Sequence, residues 1–540
     1  MCQWGRRTLA HIIYNFTSKL LYQHLFNLKM CQSSPSPLAH KGGIMKSYWI
    51  EGANTKDFPK LDKDLETEVC IIGGGITGLT TAYYLSKANV KTLLLEKDKI
   101  CMQTTGKSTA KITSQHGLFY NYLIQSQGKE KAKQYFDANE QAIKNIEQII
   151  KDENIDCDFE QQSAYVFARK AEEVNKIRDE IEAVKELGGE AEFVDNLELP
   201  FETFGAIEFK NQAQFNPYKY AQGLANNMKA EIYENTKVVD LKEKAGGYEI
   251  TTQNGNVVTA KSVVIATHYP IINAPGYYFL KMYQSMSYAI GVETAQELFD
   301  GMYISSDTPN LSLRTAKYGD KRLLIIVGLD HKTGESKNLA GNYEALERIA
   351  KEFYEDSKVV YKWCTEDCIT LDKIPYIGEF SVLMPNVYVA TGFNKWGISN
   401  SNVAANIIAD KILGRKNQYE EVFTSTRLKP IKNHQEMGNM LKQAGKSLVI
   451  EKFKIPEEKL NDIEKGEGGI IEIDGKKVGV YKDENGKIFK INPVCSHLGC
   501  ELSWNNLEKT WDCPCHGSRF TYDGKSIYAP SIKDIECNRE

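Results

Sequence analysis

The run Glu68-Val-Cys-Ile-Ile72-Gly73-Gly-Gly75-Ile-Thr-Gly78 sets the architecture expected for most of the 540-residue chain. Its first five residues are an apolar run of strand length, and three glycines follow at once. A helix fits Leu79 to Ala88, and a second strand fits Val90 to Leu95, ending at Glu96. Strand, glycine turn, helix, strand and acidic residue in this order make a dinucleotide-binding unit. Gly73 makes the tight turn, Gly75 lets the backbone approach a pyrophosphate, and Gly78 lets the helix pack on the strand. The helix N-terminus then faces the phosphate charge, and Glu96 is placed to take ribose hydroxyls. A bare glycine triplet is weak; the flanking strands, helix and Glu96 give this one its meaning.

A second stretch carries different chemistry. Cys495-Ser-His497-Leu-Gly-Cys500 is followed, after twelve residues, by Cys513-Pro-Cys515-His516-Gly-Ser518. Each loop offers one Cys and one His, with Gly499 and Gly517 free to turn the backbone sharply. Cys495, His497, Cys513 and His516 could hold a Rieske 2Fe-2S centre, cysteines on one iron and histidines on the other, or a tetrahedral zinc. Zinc modules usually pair Cys with Cys at one end and His with His at the other. Here both ends are mixed, and Cys500 and Cys515 sit at matching places in the two loops, which favours the iron-sulfur reading.

The length allows about three or four domains, and a hydrophobic content of 42% supports real cores. A net charge of -4, without a basic run interleaved with aromatics, gives no reason to expect a nucleic-acid partner. No uninterrupted apolar stretch reaches the length of a membrane span. Of twelve cysteines, four lie in the two ligand loops and the other eight are scattered, which is cytosolic usage rather than a secreted disulfide framework. Residues 1 to 44 differ: no Asp or Glu precedes Glu51, while Arg6, Arg7, Lys19, Lys29 and Lys41 are basic. This segment reads as a targeting peptide, with Arg6-Arg7 suggesting twin-arginine export, or as sequence that is never made. Lys41-Gly42-Gly43-Ile44-Met45 back-translates to a purine-rich AAAGGAGG ahead of an ATG, as in a bacterial ribosome-binding site. His11, Asn15, Lys19, Gln23 and His24 break up the apolar region an export signal needs. The expectation is a bacterial cytoplasmic protein starting at Met45, with export as the alternative.

Further along, Thr104-Thr105-Gly-Lys-Ser108-Thr109 is small and hydroxyl-rich, suited to a loop against a cofactor. Helical periodicity runs from Lys129 to Glu153 and from Glu172 to Leu187, the latter stopped by Gly188-Gly189. Tyr248 to Thr252 and Val257 to Ala260 read as a hairpin around Asn254-Gly255, and Ser262 to Thr267 as a separate buried strand followed by His268. Leu311 to Arg314 and Leu323 to Val327 are strands of a substrate-side sheet. Val387 to Ala390 is a strand running into Thr391-Gly392-Phe-Asn-Lys395-Trp396-Gly397, the turn into a last helix. A helix near Gln435 to Gln443 belongs to a polar linker. Asp474-Gly475, Asn485-Gly486 and Asp523-Gly524 punctuate the short strands of a small antiparallel fold.

From the Thr104 loop through most of the chain to about residue 412 the sequence resembles the glycine and D-amino acid oxidase family of FAD-dependent oxidoreductases, in the Thr104 loop, Ser262 to Thr267, Thr370-Leu-Asp372-Lys-Ile-Pro375 and the Gly392 to Gly397 turn. The ligand loops resemble those of the Rieske proteins of respiratory cytochrome bc complexes. The resemblances imply an α/β FAD-binding domain, Rossmann-like and of the glutathione reductase type, with an α+β substrate domain over 45–412. A linker over 413–457 and a small all-β Rieske domain over 458–540 follow, with 1–44 a non-native or targeting extension. They imply FAD, held by Gly73, Gly75, Gly78, Glu96, Thr104, Thr105, Ser108, Thr267, Gly392, Trp396 and Gly397, and a 2Fe-2S cluster. They also imply a Cys500–Cys515 disulfide, a hydroxyl hydrogen bond from Ser518 to the cluster, and cluster histidines on an exposed side. Phe520 departs from the high-potential proteins, which carry a tyrosine donor there, so the potential should be lower.

The expected activity is oxidation of a C-N bond in a small amine or amino acid, by hydride transfer to FAD, with electrons passed to the Rieske cluster and on to an external acceptor. Asp367, Lys395 and His268 are the candidate catalytic residues. Glycine-oxidase relatives place an Arg-Pro pair before the Thr-x-Asp motif to grip a carboxylate; this chain has Asp367-Cys368 there, which suits an ammonium, unless Asp367 serves only to pair a structural base. Cys364 lies near the place where some sarcosine oxidases attach FAD, but its spacing argues against attachment. Two other functions stay open: an electron-transfer adaptor without a small substrate, and an oxygen-using oxidase with a structural cluster.

Overall fold

The structure, a computed structural model, describes residues 46–51, 56–335, 339–427 and 459–539. The expected 1–44 extension, the Gln435 to Gln443 helix and most of the linker lie outside the described residues. No helix among the described residues is long and apolar enough to cross a membrane.

The first layer grows from β1 (Leu65–Ile72), whose last four residues are all buried, as expected of a parallel strand covered on both faces. The chain then enters α1 (Ile76–Lys87) and returns along β2 (Thr92–Leu95), parallel to β1. Helix α1 starts three residues before the expected Leu79, because Gly75 is its N-cap and Thr105 Oγ1 accepts the Ile76 N–H at 3.1 Å. The amphipathic α2 (Lys129–Asp152) and α3 (Val174–Glu186) fall where their periodicity puts them. Strands β3 (Glu160–Phe167) and β4 (Ala206–Gln214) belong to a second sheet, and β5 (Glu231–Tyr233) pairs with β2.

A hairpin of β6 (Val238–Lys244) and β7 (Gly247–Thr252) leads into β8 (Val257–Ile265). The two expected strands at 257–260 and 262–267 are this one strand. Its start pairs antiparallel with β7, and it runs on parallel to β1, so a single extended segment serves both neighbours.

The second sheet is completed by β9 (Met282–Glu293), β10 (Met302–Ser305), β11 (Leu311–Tyr318), β12 (Lys321–Lys332) and β13 (Lys358–Thr370). Its described strands run β13-β9-β12-β11-β10-β3-β4. β9 and β13 pair along nearly their whole length, Met282 opposite Thr370 and Glu293 opposite Lys358. The chain then rejoins the first sheet through β14 (Tyr376–Ser381) and β15 (Met384–Thr391), whose described order is β14-β15-β8-β1-β2-β5. The last long helix, α4 (Gly397–Ile412), packs beside α1, with Thr77 Oγ1 and Ser401 Oγ 2.8 Å apart.

The C-terminal part is all β. Strands β16 (Gly468–Ile473), β17 (Lys476–Lys482), β18 (Ile488–Ile491) and a final Cys537–Arg539 strand form one four-stranded sheet. Four short strands, Ser503–Asn505, Thr510–Asp512, Arg519–Thr521 and Ser526–Tyr528, form the other. The first ligand loop therefore runs from β18 of one sheet into Ser503–Asn505 of the other, and the second joins Thr510–Asp512 to Arg519–Thr521.

Candidate active site and metal centre

A cleft of about 880 Å³ opens at the C-terminal ends of β1, β8 and β15 and continues under the β9–β13 pair. At the β1 end, Gly73 has φ +111°, and a Cβ there would lie 2.4 Å from the Ala266 carbonyl oxygen. A Cβ on Gly78 would lie 2.0 Å from the Gly73 carbonyl oxygen, so the helix can sit this close to the turn only with glycine there. A Cβ on Gly75 would meet nothing nearer than Thr105 Oγ1 at 3.4 Å, which leaves a backbone cradle at the N-terminus of α1 open to a phosphate.

Glu96 is buried and accepts N–H donors from Gly74 at 2.7 Å and Asp98 at 2.9 Å. Burial and then the Asp98 charge push its carboxyl up, against the pull of those donors. Gly73, Gly75, Glu96, Thr104, Thr105, Ser108, Thr267, Trp396 and Gly397 all line the cleft. Gly78 and Gly392 stand behind its wall: Gly392, at φ +74°, turns where a Cβ would lie 2.3 Å from Thr370 Cγ2. Trp396 stacks on buried His116, ring centroids 4.8 Å apart.

The three candidate catalytic residues all line this cleft. Lys395, at φ +74°, pairs with Asp330 at 3.0 Å. Asp367 looks in from β13; burial pushes its carboxyl up to about 6, with Lys395 opposing the shift and Asp330 adding to it. His268 has φ +66° and a buried Nε2 without a partner among the described residues, and burial holds it down at about 4. Cys364 is not on this wall. Its neighbours are Tyr288 and Tyr343, in the apolar core on the other side of β13.

Side chains of a strand alternate between faces, and here that alternation divides two sites. Ser285 and Ser287 on β9, with Thr365, Asp367 and Ile369 on β13, line the cleft. Gln284, Cys364, Glu366 and Cys368 face the other way, and the C-terminal domain lies against that side. Gln284 Nε2 donates to the carbonyl oxygens of His516 and Ala529, both at 2.8 Å. Buried Arg519 lies 2.9 Å from Asp512 and 3.7 Å from Glu366. Burial pushes the Glu366 carboxyl up to about 8, with Arg519 pulling against it. The domain also reaches the near end of the cleft, where Lys97 Nζ donates to the Ile527 carbonyl.

The two ligand loops repeat one design. Cys495 N–H bonds the Cys500 carbonyl at 2.8 Å and Gly499 N–H the Cys495 carbonyl at 2.9 Å; Cys513 N–H bonds the Ser518 carbonyl and Gly517 N–H the Cys513 carbonyl, both at 2.8 Å. Gly499 and Gly517 both have φ +78°. Cys500 and Cys515 form a disulfide that ties the loops. The Sγ atoms of Cys500, Cys513 and Cys515 lie within 4.8 Å of one another, but the disulfide engages two of them, so Cys495 and Cys513 are the thiols left for a metal.

Those two thiols perturb each other: Cys495 is held below the usual thiol range by Cys513, with a smaller contribution from Ser518, and Cys513 is held well above it. The His497 and His516 rings are 5.0 Å apart at 90°, and both Nδ1 atoms are buried without a partner among the described residues. Burial holds His497 at about 4 and His516 at about 3, so both rings are neutral. Two neutral imidazoles with bare Nδ1 atoms beside two close thiols suit a 2Fe-2S centre of the Rieske kind. The expected exposure of the histidines is corrected: His516 is 7% exposed and His497 is half-buried, and Phe279 packs against both rings, centroids at 5.8 and 5.6 Å. The histidine side of the centre is turned onto the cleft-bearing domain.

Sequence reasoning missed Gln284, Phe279, Asp330 and the Arg519–Glu366 contact, since none of them sits in a motif.

A dinucleotide-type α/β domain with a long cleft, joined to a two-His, two-Cys cradle, defines a flavin-dependent oxidoreductase with an iron-sulfur centre. The chain belongs to the FAD dependent oxidoreductase family, which residues 68–411 match, and residues 454–538 match the Rieske [2Fe-2S] domain. It is 36% identical over 494 residues to the Bacillus subtilis (strain 168) protein named as Rieske 2Fe-2S iron-sulfur protein YhfW, covering 91% of this chain and 97% of that one. It is 22% identical over 394 residues to gamma-glutamylputrescine oxidoreductase of Escherichia coli (strain K12), 69% of this chain and 90% of that one. Glycine oxidase from Geobacillus kaustophilus shares the fold with a TM-score of 0.59 at 19% identity, over 68% of this chain and all of that one. The protein thus uses FAD and a Rieske 2Fe-2S cluster.

Proposed function

We propose that this oxidoreductase oxidises the C-N bond of a small amine, preferably a cationic one over a simple amino acid, and passes the electrons to its own Rieske cluster for delivery to an external acceptor. The observation that carries the reading is the β9–β13 layer, with the cleft on one face and the ligand loops on the other. When bound, FAD would supply hydride acceptance from the carbon beside the nitrogen, and the cluster would supply one-electron acceptance.

The chain's own residues supply the rest. The Gly73 to Gly78 turn and the N-terminus of α1 would hold the pyrophosphate. The Trp396–Gly397 turn would put the backbone amides of α4 against the end of the ring system where negative charge gathers. Asp367, at about 6, is ionised at neutral pH and would hold an ammonium against the cleft wall. His268, neutral at that pH, offers Nε2 as an acceptor for a substrate hydrogen or proton. Lys395 is held by Asp330, which leaves Asp367 without that cation as a direct partner. The gamma-glutamylputrescine oxidoreductase relative carries an amine in its name, and the glycine oxidase neighbour an amino acid. The scattered cysteines outside the ligand loops support a cytoplasmic setting.

The test is anaerobic rapid mixing with a panel of amines and amino acids. An amine should bleach the flavin first and reduce the cluster afterwards, at a rate independent of protein concentration. Cluster reduction that slows on dilution would place the transfer between molecules, and no flavin bleaching by any amine would remove the substrate class.

A further inference from the structure

Both histidine-bearing loops are held by the flavin domain. His497 Nε2 lies 2.8 Å from Asn273 Oδ1. A neutral imidazole whose Nδ1 binds iron keeps its hydrogen on Nε2, so the ring donates and only the amide oxygen of Asn273 can face it. Gln284, on β9, donates from one Nε2 to two carbonyls of the Rieske domain, including that of His516.

The fit around these bonds leaves no slack. A Cβ on Gly517 would lie 2.6 Å from Gln284 Cβ, and one on Gly334 of the flavin domain would lie 2.8 Å from Pro514 Cα. Undocking would also take Arg519 and Glu366 out of a site where both side chains are at most 2% exposed.

We propose that Asn273 and Gln284 are positioning residues for the cluster, Asn273 orienting His497 and Gln284 the His516 loop, so that the Rieske domain works as a fixed acceptor in this one docked pose. Accepting the Nε2 hydrogen makes the ring a stronger donor to iron and favours the oxidised cluster. The donating domain thereby sets part of the potential of its own acceptor. The inference deepens the flavin-to-cluster reading, but its test is made at equilibrium without substrate, so the two can fail separately.

The experiment is a redox titration of the full holoprotein followed by electron paramagnetic resonance, with iron and acid-labile sulfide measured for each variant. Asn273→Ala should raise the midpoint potential, and Asn273→Asp, which offers the imidazole an anionic acceptor, should lower it. Wild-type potential and resonance in both variants with full clusters would overturn the proposal, and so would shifts of the same sign, which mark a general disturbance of the interface. Hydrogen exchange of the holoprotein gives a second measurement. Residues 513–518 should exchange at least tenfold slower than in Gln284→Ala, and exchange in the wild type as fast as in an exposed loop would rule out a fixed dock.

Discussion

Replacing Asp367 by Asn removes one charge and almost no volume from the cleft wall. A hydrogen bond to a charged group is worth about 1.5–3 kcal/mol, so kcat/KM for a cationic amine should fall about 10- to 150-fold. The pH dependence gives a sharper signature. Burial pushes this carboxyl up to about 6, so the charge that binds an ammonium is present above pH 6 and lost as the pH falls through it. Wild-type kcat/KM should therefore drop about tenfold for each pH unit below that value, and the Asn variant should lack this acid limb. Anaerobic flavin bleaching, followed against amine concentration between pH 5 and 8, measures both effects. Unimpaired bleaching in the variant, or an acid limb that persists in it at the same position, would refute the assignment of Asp367 to the substrate's nitrogen.

His516→Cys replaces a neutral ligand by a thiolate and should abolish the Rieske resonance and lower the potential; an unchanged spectrum would sink the ligand set. Gly78→Ala puts a methyl 2.0 Å from the Gly73 carbonyl oxygen, and at about 1–3 kcal/mol for such overpacking, FAD retention on dialysis should fall about 5- to 150-fold. Phe520→Tyr restores a hydroxyl beside the cluster and should raise the midpoint potential, a direction that redox titration checks directly.

What the sequence made legible was local. Gly73, Gly75 and Glu96 announce their roles because a backbone that must turn at φ +111° and admit a phosphate excludes other residues. The ligand loops are readable because a metal restricts both residue type and spacing. The 257–265 segment was misread as two strands for a related reason: exposed Lys261 looks like a break, yet it only marks the outward face of a strand whose last three residues are buried. Asn273 and Gln284 carry no such mark. Each acts on a partner more than two hundred residues away, and a polar residue in a loop or a strand looks the same whether it meets water or an iron ligand.

The orientation of the cluster is the case where this matters most for chemistry. Phe520 already argues for a potential below the respiratory proteins, because a missing donor leaves the reduced cluster less stabilised. The covering of the histidines adds to that argument. Reduction places one more negative charge on the cluster, and with His516 7% exposed and both rings covered by Phe279, little water is available to solvate it. Asn273 acts in the same sense, since its oxygen strengthens electron donation from His497. Three contributions of one sign should put the midpoint toward the lower end of the Rieske range of about -150 to +300 mV, and still above the roughly -400 mV of plant-type ferredoxin clusters. On the proposed flavin-to-cluster route, a value there would let the cluster accept electrons from a reduced flavin and still pass them on. Of these contributions, only Phe520 lies within the Rieske motif; the others exist because a second domain was built to meet it.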